Sequence, residues 1–440
     1  MRIEAATEWL ENHIDYSSWA ARSARTGEVD LSLDRMHRFV AGLGSPQSGL
    51  AIIHVTGTNG KGSTSRIITR LLMAEGLRVG TYSSPHLASY TERFRIDDRD
   101  IAEDTLAELL TRMSLAEDSL GDRLMPFEIL TGAAYTLFQE KAVNVAVVEV
   151  GVLGRYDATN VADGRVAVIT NIGFDHTNGD GDWQLRIATE KAGIVKPGAQ
   201  LVLGAVEARF DPAFAAQLPS AIWRLGEQID ITADAATSRG RRISITTPWQ
   251  SLTDIDLPLQ GAHQTRNAAL AITAASAFLG RALTETSARA GLAAVTMPAR
   301  LEPFATGGAG RGPTVILDGA HNPDAARALA DAMAEMQQPG RRVLVIGLLA
   351  GRDPATMLAA VRAERFDEIL TCTPPTARAQ PAAELAAAAA DAGCTAAAID
   401  DIGDALAAAL GRATADDQIV VTGSIYLVAD ARRWLLRQAP

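Results

Sequence analysis

Short apolar runs separated by helical patterns organise the first half of the chain. The β-branched run AIIHV (51–55) is followed by a glycine-rich turn and by residues 63–75, whose apolar side chains fall on one helical face. Buried-type strands are also predicted at 78–82, 143–150 and 166–172, with helical segments between the first two. Apolar runs without alternation, separated by helices, favour a parallel sheet that is covered on both faces.

A second series of the same kind begins near residue 300. Strands are predicted at 314–318, 341–347 and 418–423, with helical patterns between them. The pattern therefore predicts an α/β protein of two domains, residues 1–299 with a mainly parallel sheet and residues 300–440 with a smaller one.

Composition and charge limit the classes of partner. The chain has 440 residues, a formal net charge of −11 and no basic block, so we expect neither nucleic acid nor an anionic membrane to bind. Its two cysteines, Cys372 and Cys394, have no metal or disulfide spacing and indicate free thiols in a reducing compartment. The sequence has no secretory signal pattern and no apolar run of about 18 residues. We therefore expect a cytoplasmic protein.

The turn after the first strand has the composition of a phosphate-binding loop. In GTNGKGS (57–63), three glycines let backbone N–H groups turn toward phosphate oxygens, and the helix that follows directs its positive end at them. Lys61 would supply a point charge for the β- and γ-phosphates. The loop differs from the common Gly-x-x-x-x-Gly-Lys-Ser/Thr pattern, because Gly62 follows the lysine and Val55 occupies the position of the first glycine.

Polar residues follow the other strands at the same edge of the predicted sheet. Ser83 and Ser84 follow the second strand, Glu149 closes the third, and Asp175 and His176 follow the fourth. Ligands of an open parallel sheet collect outside the carboxyl ends of its strands, so we expect these residues to share one site with the loop. A Mg²⁺ ion bridging phosphates would explain a carboxylate at the end of an apolar run. Taken alone, Glu149 also fits a capping or salt-bridged residue, and His176 a hydrogen-bonded structural one.

Seven motifs, in this order, give a specific resemblance: GTNGKGST, EVGVLGRYDATN, ATEKAGIVKPG, GAHQTRNAALA, ARLE, LDGAHNP and VTGSIYLV. They resemble the Mur ligase superfamily, and from about residue 30 to about residue 430 the chain is similar to its folate branch, the folylpolyglutamate and dihydrofolate synthases. The resemblance implies an N-terminal P-loop ATPase domain, a Rossmann-like C-terminal domain and a loop with a residue between lysine and serine. About 50 residues precede the loop, too few for the sugar-nucleotide domain of muramyl-peptide ligases, and the Asn-Lys-x-Asp motif of a GTPase is missing.

The resemblance also implies a role for each matching residue. Those that would bind ATP are Gly57, Thr58, Asn59, Gly60, Lys61, Gly62, Ser63, Asn267, Arg300, Asp318 and His321. Those that would hold one or two Mg²⁺ ions are Ser84, Glu149, His176 and Lys191. Those that match the pterin-binding pattern are Phe127, Asp157 and Ala158. Direct catalytic roles would fall to Lys61, His176, Lys191, Asp318 and His321, the last two reaching the phosphates from the second domain.

Lys191 is interpreted in two different ways. Its position in a helical pattern alone indicates a solvated surface charge. The resemblance instead matches it to a lysine that is carbamylated in this family, and a carbamate would offer oxygens to the cation where a free ammonium would repel it.

The implied reaction is ATP-driven amide formation between two small molecules. The carboxylate of dihydropteroate or of a reduced folate would attack the γ-phosphate and give an acyl phosphate, and the α-amino group of L-glutamate would then displace phosphate. Lys61 and Mg²⁺ would spread the charge of the first step. A monomer is the state that the resemblance implies.

Departures from the family pattern leave the acceptor open. They lie at Leu153 and Ala299, where glycine is usual, at Met125, where the pterin pattern usually has threonine, and at Asp180, Gly181 and Trp183 after His176. The ATP residues are thus better matched than the pterin residues, which keeps open a paralogue that joins an amino acid to another carboxylic acid. A protein that binds ATP without catalysis is disfavoured, because such a protein would not need the full metal set.

Overall fold

The computed structural model describes residues 1–13, 32–174, 181–307, 312–336 and 340–438. Within these ranges the chain forms 14 α-helices and 17 strands. No helix in them is long and apolar enough to cross a membrane. The helices are α1 (Ile3–Glu11), α2 (Asp34–Gly42), α3 (Lys61–Ala74), α4 (Glu103–Leu120), α5 (Pro126–Glu140), α6 (Trp183–Ala192), α7 (Asp211–Ala215), α8 (Ala262–Leu279), α9 (Glu285–Ala293), α10 (Pro323–Glu335), α11 (Pro354–Val361), α12 (Ala382–Asp391), α13 (Ile402–Arg412) and α14 (Ile425–Gln438).

In the described part of the chain, the strands form three sheets of eight, three and six members. Those of the first sheet are β1 (Ile52–Thr56), β2 (Val79–Tyr82), β3 (Phe94–Ile96), β4 (Arg99–Asp100), β5 (Val145–Glu149), β6 (Gly164–Ile169), β7 (Gln200–Leu203) and β8 (Ala221–Arg224). Those of the second are β9 (Asp230–Thr237), β10 (Gly240–Thr246) and β11 (Ser251–Leu257). Those of the third are β12 (Glu302–Ala305), β13 (Thr314–Leu317), β14 (Arg342–Ile346), β15 (Glu368–Thr371), β16 (Ala396–Ala398) and β17 (Gln418–Thr422).

The eight-stranded sheet has the order β4-β3-β2-β5-β1-β6-β7-β8. Six neighbouring strands in this order, β2, β5, β1, β6, β7 and β8, are parallel. Successive residues of β5 enter cores on opposite faces: Val145 and Val147 pack with the apolar side chains of α3 and α8, and Ala146 and Val148 with those of α4 and α5. Because both faces are covered, the strand is apolar throughout. The predicted parallel sheet is therefore confirmed, with β3 and β4 added antiparallel at one edge.

The six-stranded sheet has the order β12-β13-β17-β14-β15-β16. All of its strands are parallel except β12, which pairs antiparallel with β13. The predicted strands near 314, 341 and 418 are its central members, so the second α/β unit is confirmed.

The three-stranded antiparallel sheet, β9 to β11, was not predicted. The prediction relied on continuous apolar runs, whereas β10 buries alternate residues such as Ile243 and Ile245 and most of β9 is exposed. Alternation is typical of a half-buried strand and was the available signal.

Candidate active site

The phosphate loop joins β1 to α3 and encloses a lysine. Lys61 begins α3, and its Nζ donates to the carbonyl oxygens of Gly57 (3.0 Å) and Thr58 (3.3 Å). Gly60 has φ +84°, and a Cβ at this position would lie 2.5 Å from Oδ1 of Asn267. Glycine is therefore required here by both conformation and space. The close approach also places Asn267 of α8 directly against the loop.

Two neutral residues after β6 hold the loop from behind. Asn171 accepts on Oδ1 from the backbone N–H groups of Thr58 (3.1 Å) and Asn59 (3.0 Å), and its Nδ2 donates to the Asn59 carbonyl (3.0 Å). The Thr170 hydroxyl donates to the same carbonyl (2.6 Å). Sequence reasoning missed both residues because they carry no charge, although their place after β6 at the shared edge could have indicated them.

Glu149 ends β5 beside the loop and is 4% exposed. Its Oε2 accepts from the Ser84 N–H (3.2 Å), and a Cβ on Gly62 would lie 3.4 Å from the same oxygen. Burial raises the pKa of Glu149 to about 6, and the positive charges of Lys61, Arg300 and Arg93 act in the opposite direction. The structure thus brings Lys61, Ser84 and Glu149 together at one edge.

The donor set at this edge suits a cation that shares its ligands with phosphate. No group of three or more His, Cys, Asp or Glu side chains lies close enough to hold a metal in the described part of the chain. Mg²⁺ needs no such cage, because it is commonly held by one or two carboxylates together with phosphate oxygens and water. A buried carboxylate next to a phosphate loop meets that requirement. Asp175, His176 and Asp180 lie outside the described residues.

Lys191 is not a solvated surface charge, so that interpretation was wrong. The residue is 3% exposed and lies in the last turn of α6, on the buried face that also carries Ile187 and Ala188. A Cβ on Gly154 would lie 3.2 Å from its Cα, so the loop after β5 covers this turn. The spacing of three and four residues from apolar positions was the signal for burial.

Asp318 and Arg300 approach the same region from the six-stranded sheet. Asp318 follows β13, and its two oxygens accept from the N–H groups of Leu301 and Ala320 (2.9 Å each). Burial raises the pKa of Asp318, whereas Arg300 acts to lower it. Arg300 also acts to lower the pKa of Glu149, so its positive charge is close enough to influence both carboxylates. His321 donates from Nδ1 to the Gly319 carbonyl (3.0 Å).

The start of α10 is bonded to the phosphate loop. The side-chain amides of Asn59 and Asn322 exchange two hydrogen bonds of 3.2 and 3.0 Å, and Asn322 also caps α10 by accepting from the Ala325 N–H (2.9 Å). Two residues further, in the first turn of α10, Asp324 accepts from the Phe174 N–H (3.0 Å). The loop therefore has partners on both α/β units, and Asn322 is a further residue that sequence reasoning missed.

The three residues of the predicted pterin pattern lie around the segment after β5. A Cβ on Gly151 would lie 2.6 Å from Cζ of Phe127, so the ring packs directly on the backbone there. Asp157 accepts from the N–H groups of Val152 (2.9 Å) and Thr159 (3.0 Å), and burial raises its pKa. Ala158 begins a 3₁₀ turn at 158–161. The Asp157 carboxylate thus fixes the backbone of this segment by hydrogen bonds on both sides of it.

Three departures from the family pattern have backbone explanations. Leu153 and Ala299 have φ of +59° and +57°, the left-handed region in which glycine is favoured. Met125 is the residue that precedes α5, a position at which a threonine hydroxyl would cap the helix. Compared with the usual family residues, Leu153 and Ala299 therefore raise the energy of the local backbone, and Met125 removes a helix cap.

Comparisons with known proteins cover both α/β units. Residues 55–275 match the Mur ligase middle domain, and residues 299–425 match the Mur ligase, glutamate ligase domain. A folylpolyglutamate synthase of Lacticaseibacillus casei is 34% identical over 427 residues, which cover 94% of this chain and 96% of that protein. A dihydrofolate synthase/folylpolyglutamate synthase of Escherichia coli is 33% identical over 438 residues, which cover 95% and 96%.

Solved structures agree over almost the whole length. A Mycobacterium tuberculosis folylpolyglutamate synthase complexed with ADP has a TM-score of 0.88 at 31% identity, covering 99% of this chain and 98% of that one. An E. coli FolC in complex with DHPP and ADP has a TM-score of 0.84 at 30% identity, with coverage of 99% and 98%. The chain therefore belongs to the Mur ligase family, in the branch of the folylpolyglutamate and dihydrofolate synthases.

Proposed function

We propose that the protein is an ATP-dependent ligase that joins L-glutamate to the carboxylate of a folate-type pterin, with ADP and phosphate as the other products. The observation that carries this proposal is the loop around Lys61, closed against the buried carboxylate of Glu149. The relatives named folylpolyglutamate or dihydrofolate synthase support the substrates, and the relative crystallised with ADP supports the nucleotide.

Lys61 is the residue best suited to stabilise phosphoryl transfer. Its ammonium donates to two loop carbonyls, and phosphate oxygens would be stronger, charged acceptors for the same protons. The acceptor carboxylate would attack the γ-phosphate in line, and Lys61 and Arg300 would balance the charge that develops. The α-amino group of glutamate would then attack the acyl phosphate. No protein nucleophile is needed.

Glu149 and Ser84 are the residues that would hold a magnesium ion. When bound, this ion would neutralise phosphate charge during the transfer. Lys191 would join the same set if carbamylated, and its burial supports a function beyond that of a surface lysine. The assignment of His176 to the metal, and of Asp318, His321 and Asn267 to the nucleotide, are proposals on the same basis.

Exposed apolar side chains near Phe127 support a flat, partly apolar acceptor. Met125, Val152 and Tyr156 are all exposed large hydrophobic residues, and they flank Phe127 and Asp157 along the chain. The departures at Leu153, Ala299 and Met125 concern backbone conformation and a helix cap, so they give no support to a non-folate acid.

We further propose a domain boundary at residues 299/300, a monomeric state and a cytoplasmic location. The boundary is supported by the strand order, since the first strand of the six-stranded sheet begins at Glu302 and the last strand of the other two sheets ends at Leu257.

The test is phosphate release from Mg-ATP by the purified protein with L-glutamate, with dihydropteroate in one reaction and tetrahydrofolate in another. We expect release that depends on both glutamate and a pterin, that is lost in Lys61→Ala, and that is retained in Lys141→Ala, a control at an exposed lysine. Which reaction responds identifies the acceptor. Phosphate release with neither pterin, from a protein that still binds ATP, would contradict the folate assignment.

A further inference from the structure

A buried histidine lies behind the segment that carries the predicted acceptor residues. His54 is in β1, the strand between β5 and β6, and is 1% exposed. Its Nε2 lies 2.8 Å from the Thr159 hydroxyl oxygen. Its Nδ1 is buried and has no hydrogen-bond partner among the residues that the structure describes. Among the described residues, this buried ring therefore has one hydrogen-bond partner, the Thr159 hydroxyl.

The direction of that bond follows from the protons that are present. The Thr159 hydroxyl has one proton, and it donates to Oδ1 of Asp157, which also accepts from the Thr159 N–H (3.0 Å). Asp157 Oδ2 accepts from the Val152 N–H (2.9 Å), and backbone N–H donors of this kind favour the ionised carboxylate, which accepts hydrogen bonds and has no proton to donate. His54 must therefore donate from Nε2, which leaves Nδ1 as an unprotonated nitrogen in the core. Burial, with a smaller effect of Lys196, lowers the pKa of His54 to about 3, in agreement with a neutral ring.

We infer that His54 is a positioning residue for the acceptor, acting through Thr159 and Asp157. Its Nε2–H fixes the Thr159 hydroxyl as a donor to Asp157, and Asp157 in turn holds the N–H of Val152. The adjoining Gly151 is the surface on which Phe127 packs. This inference rests on the proposed function, because it assigns the segment around Asp157 to the acceptor and leaves the nucleotide to the loop at Lys61.

A structural role and a positioning role make opposite predictions for stability. The unpartnered Nδ1 penalises the folded state, so an apolar side chain of similar size would pack at least as well in the core. If His54 serves only the fold, His54→Leu lowers the thermal midpoint. The reaction rate then falls with ATP and with the acceptor alike, because less of the protein is folded. If His54 positions Asp157, His54→Leu leaves the midpoint unchanged or higher and weakens the acceptor alone.

The experiment compares three variants of the full-length protein by steady-state kinetics and thermal unfolding. His54→Leu removes the donor, His54→Gln keeps an N–H at the reach of the imidazole Nε2, and His54→Asn keeps a polar amide with a shorter reach. We expect the acceptor KM of His54→Leu and His54→Asn to rise about tenfold, the factor for one hydrogen bond of ordinary net strength, with the ATP KM within about twofold of wild type. His54→Gln should recover most of the loss. Equal acceptor KM values in wild type and His54→Leu, or equal losses in the Leu and Gln variants, would overturn the inference.

A spectroscopic measurement separates failure of this inference from failure of the proposed function. In a two-bond ¹H–¹⁵N spectrum of the wild-type protein, we expect the His54 ring to be neutral with its proton on Nε2, and we expect Thr159→Val to perturb that ring. A proton on Nδ1, or a ring unaffected by Thr159→Val, overturns the inference for His54, whatever the enzyme acts on. Absence of turnover with any pterin, combined with the expected spectrum, would instead refute the assignment to a folate acceptor. The hydrogen bonds from His54 to Thr159 and from Thr159 to Asp157 would then still stand.

Discussion

Replacing Glu149 by glutamine tests the electrostatics of the candidate site. Glutamine keeps the shape of the side chain and an oxygen that accepts from the Ser84 N–H, but it removes the buried charge. In the folded protein burial raises the pKa of Glu149 from an ordinary 4.5 to about 6. A difference of this size corresponds to about 2 kcal/mol, and the 4% exposure of the residue leaves little screening by solvent.

The sign follows from which state binds the proton more tightly. Below pH 4.5 Glu149 is protonated in both states and costs nothing. Between pH 4.5 and about 6 the unfolded chain loses the proton while the folded protein keeps it, so folding stability falls as pH rises. Above pH 6 the wild type carries the full penalty of about 2 kcal/mol, and Glu149→Gln does not.

The assay is denaturant unfolding of nucleotide-free protein in chelator, from pH 4.5 to 7.5. The free energy of unfolding of Glu149→Gln, relative to wild type, should increase by about 2 kcal/mol across this range, whereas Glu11→Gln, a change at an exposed glutamate, should follow wild type. Glu149→Gln should also lose pterin-dependent phosphate release. Parallel pH curves for Glu149→Gln and wild type would refute the argument from burial.

Four further predictions follow. Asn171→Ala removes three hydrogen bonds to the phosphate loop and should raise the ATP KM about tenfold without a change in the acceptor KM; an unchanged ATP KM would contradict the bracing role. Leu153→Gly relieves a left-handed backbone and should raise the unfolding free energy by up to about 1 kcal/mol, whereas a clear loss would show that the leucine side chain packs usefully. Met125→Thr should stabilise the protein by about 1 kcal/mol, because the threonine hydroxyl would cap α5. An unchanged melting temperature would contradict this prediction. Turnover of an acceptor labelled with ¹⁸O in its carboxylate should transfer one label to phosphate, and unlabelled phosphate would exclude an acyl phosphate.

The sequence predicted the sheets where burial on both faces made the strands apolar throughout. This applies to β1, β5 and β6, whose predicted bounds lie within three residues of those observed. The antiparallel β9 to β11 escaped the same criterion, because alternating strands on the surface have no apolar run.

The residues of the site that could be predicted from the sequence are those marked by a charge or by a glycine-rich turn. Lys61 and Glu149 stand out as charges in a loop and at a strand end, whereas Asn171 acts through backbone hydrogen bonds that exist only when two distant segments meet. The left-handed conformations at Leu153 and Ala299 are likewise properties of the folded backbone. The burial of Lys191 was obscured by its charge, although its spacing from Ile187 carried the information.

The most direct test of ligase activity is analysis of the acceptor after turnover. Wild-type protein, Mg-ATP, L-glutamate and each pterin in turn would be sampled over time for released phosphate and, by mass spectrometry, for the mass of the acceptor. The account predicts one glutamyl residue gained by the acceptor for each phosphate released, and neither product with Lys61→Ala. Phosphate released without a heavier acceptor, or glutamyl addition that persists in Lys61→Ala, would contradict it.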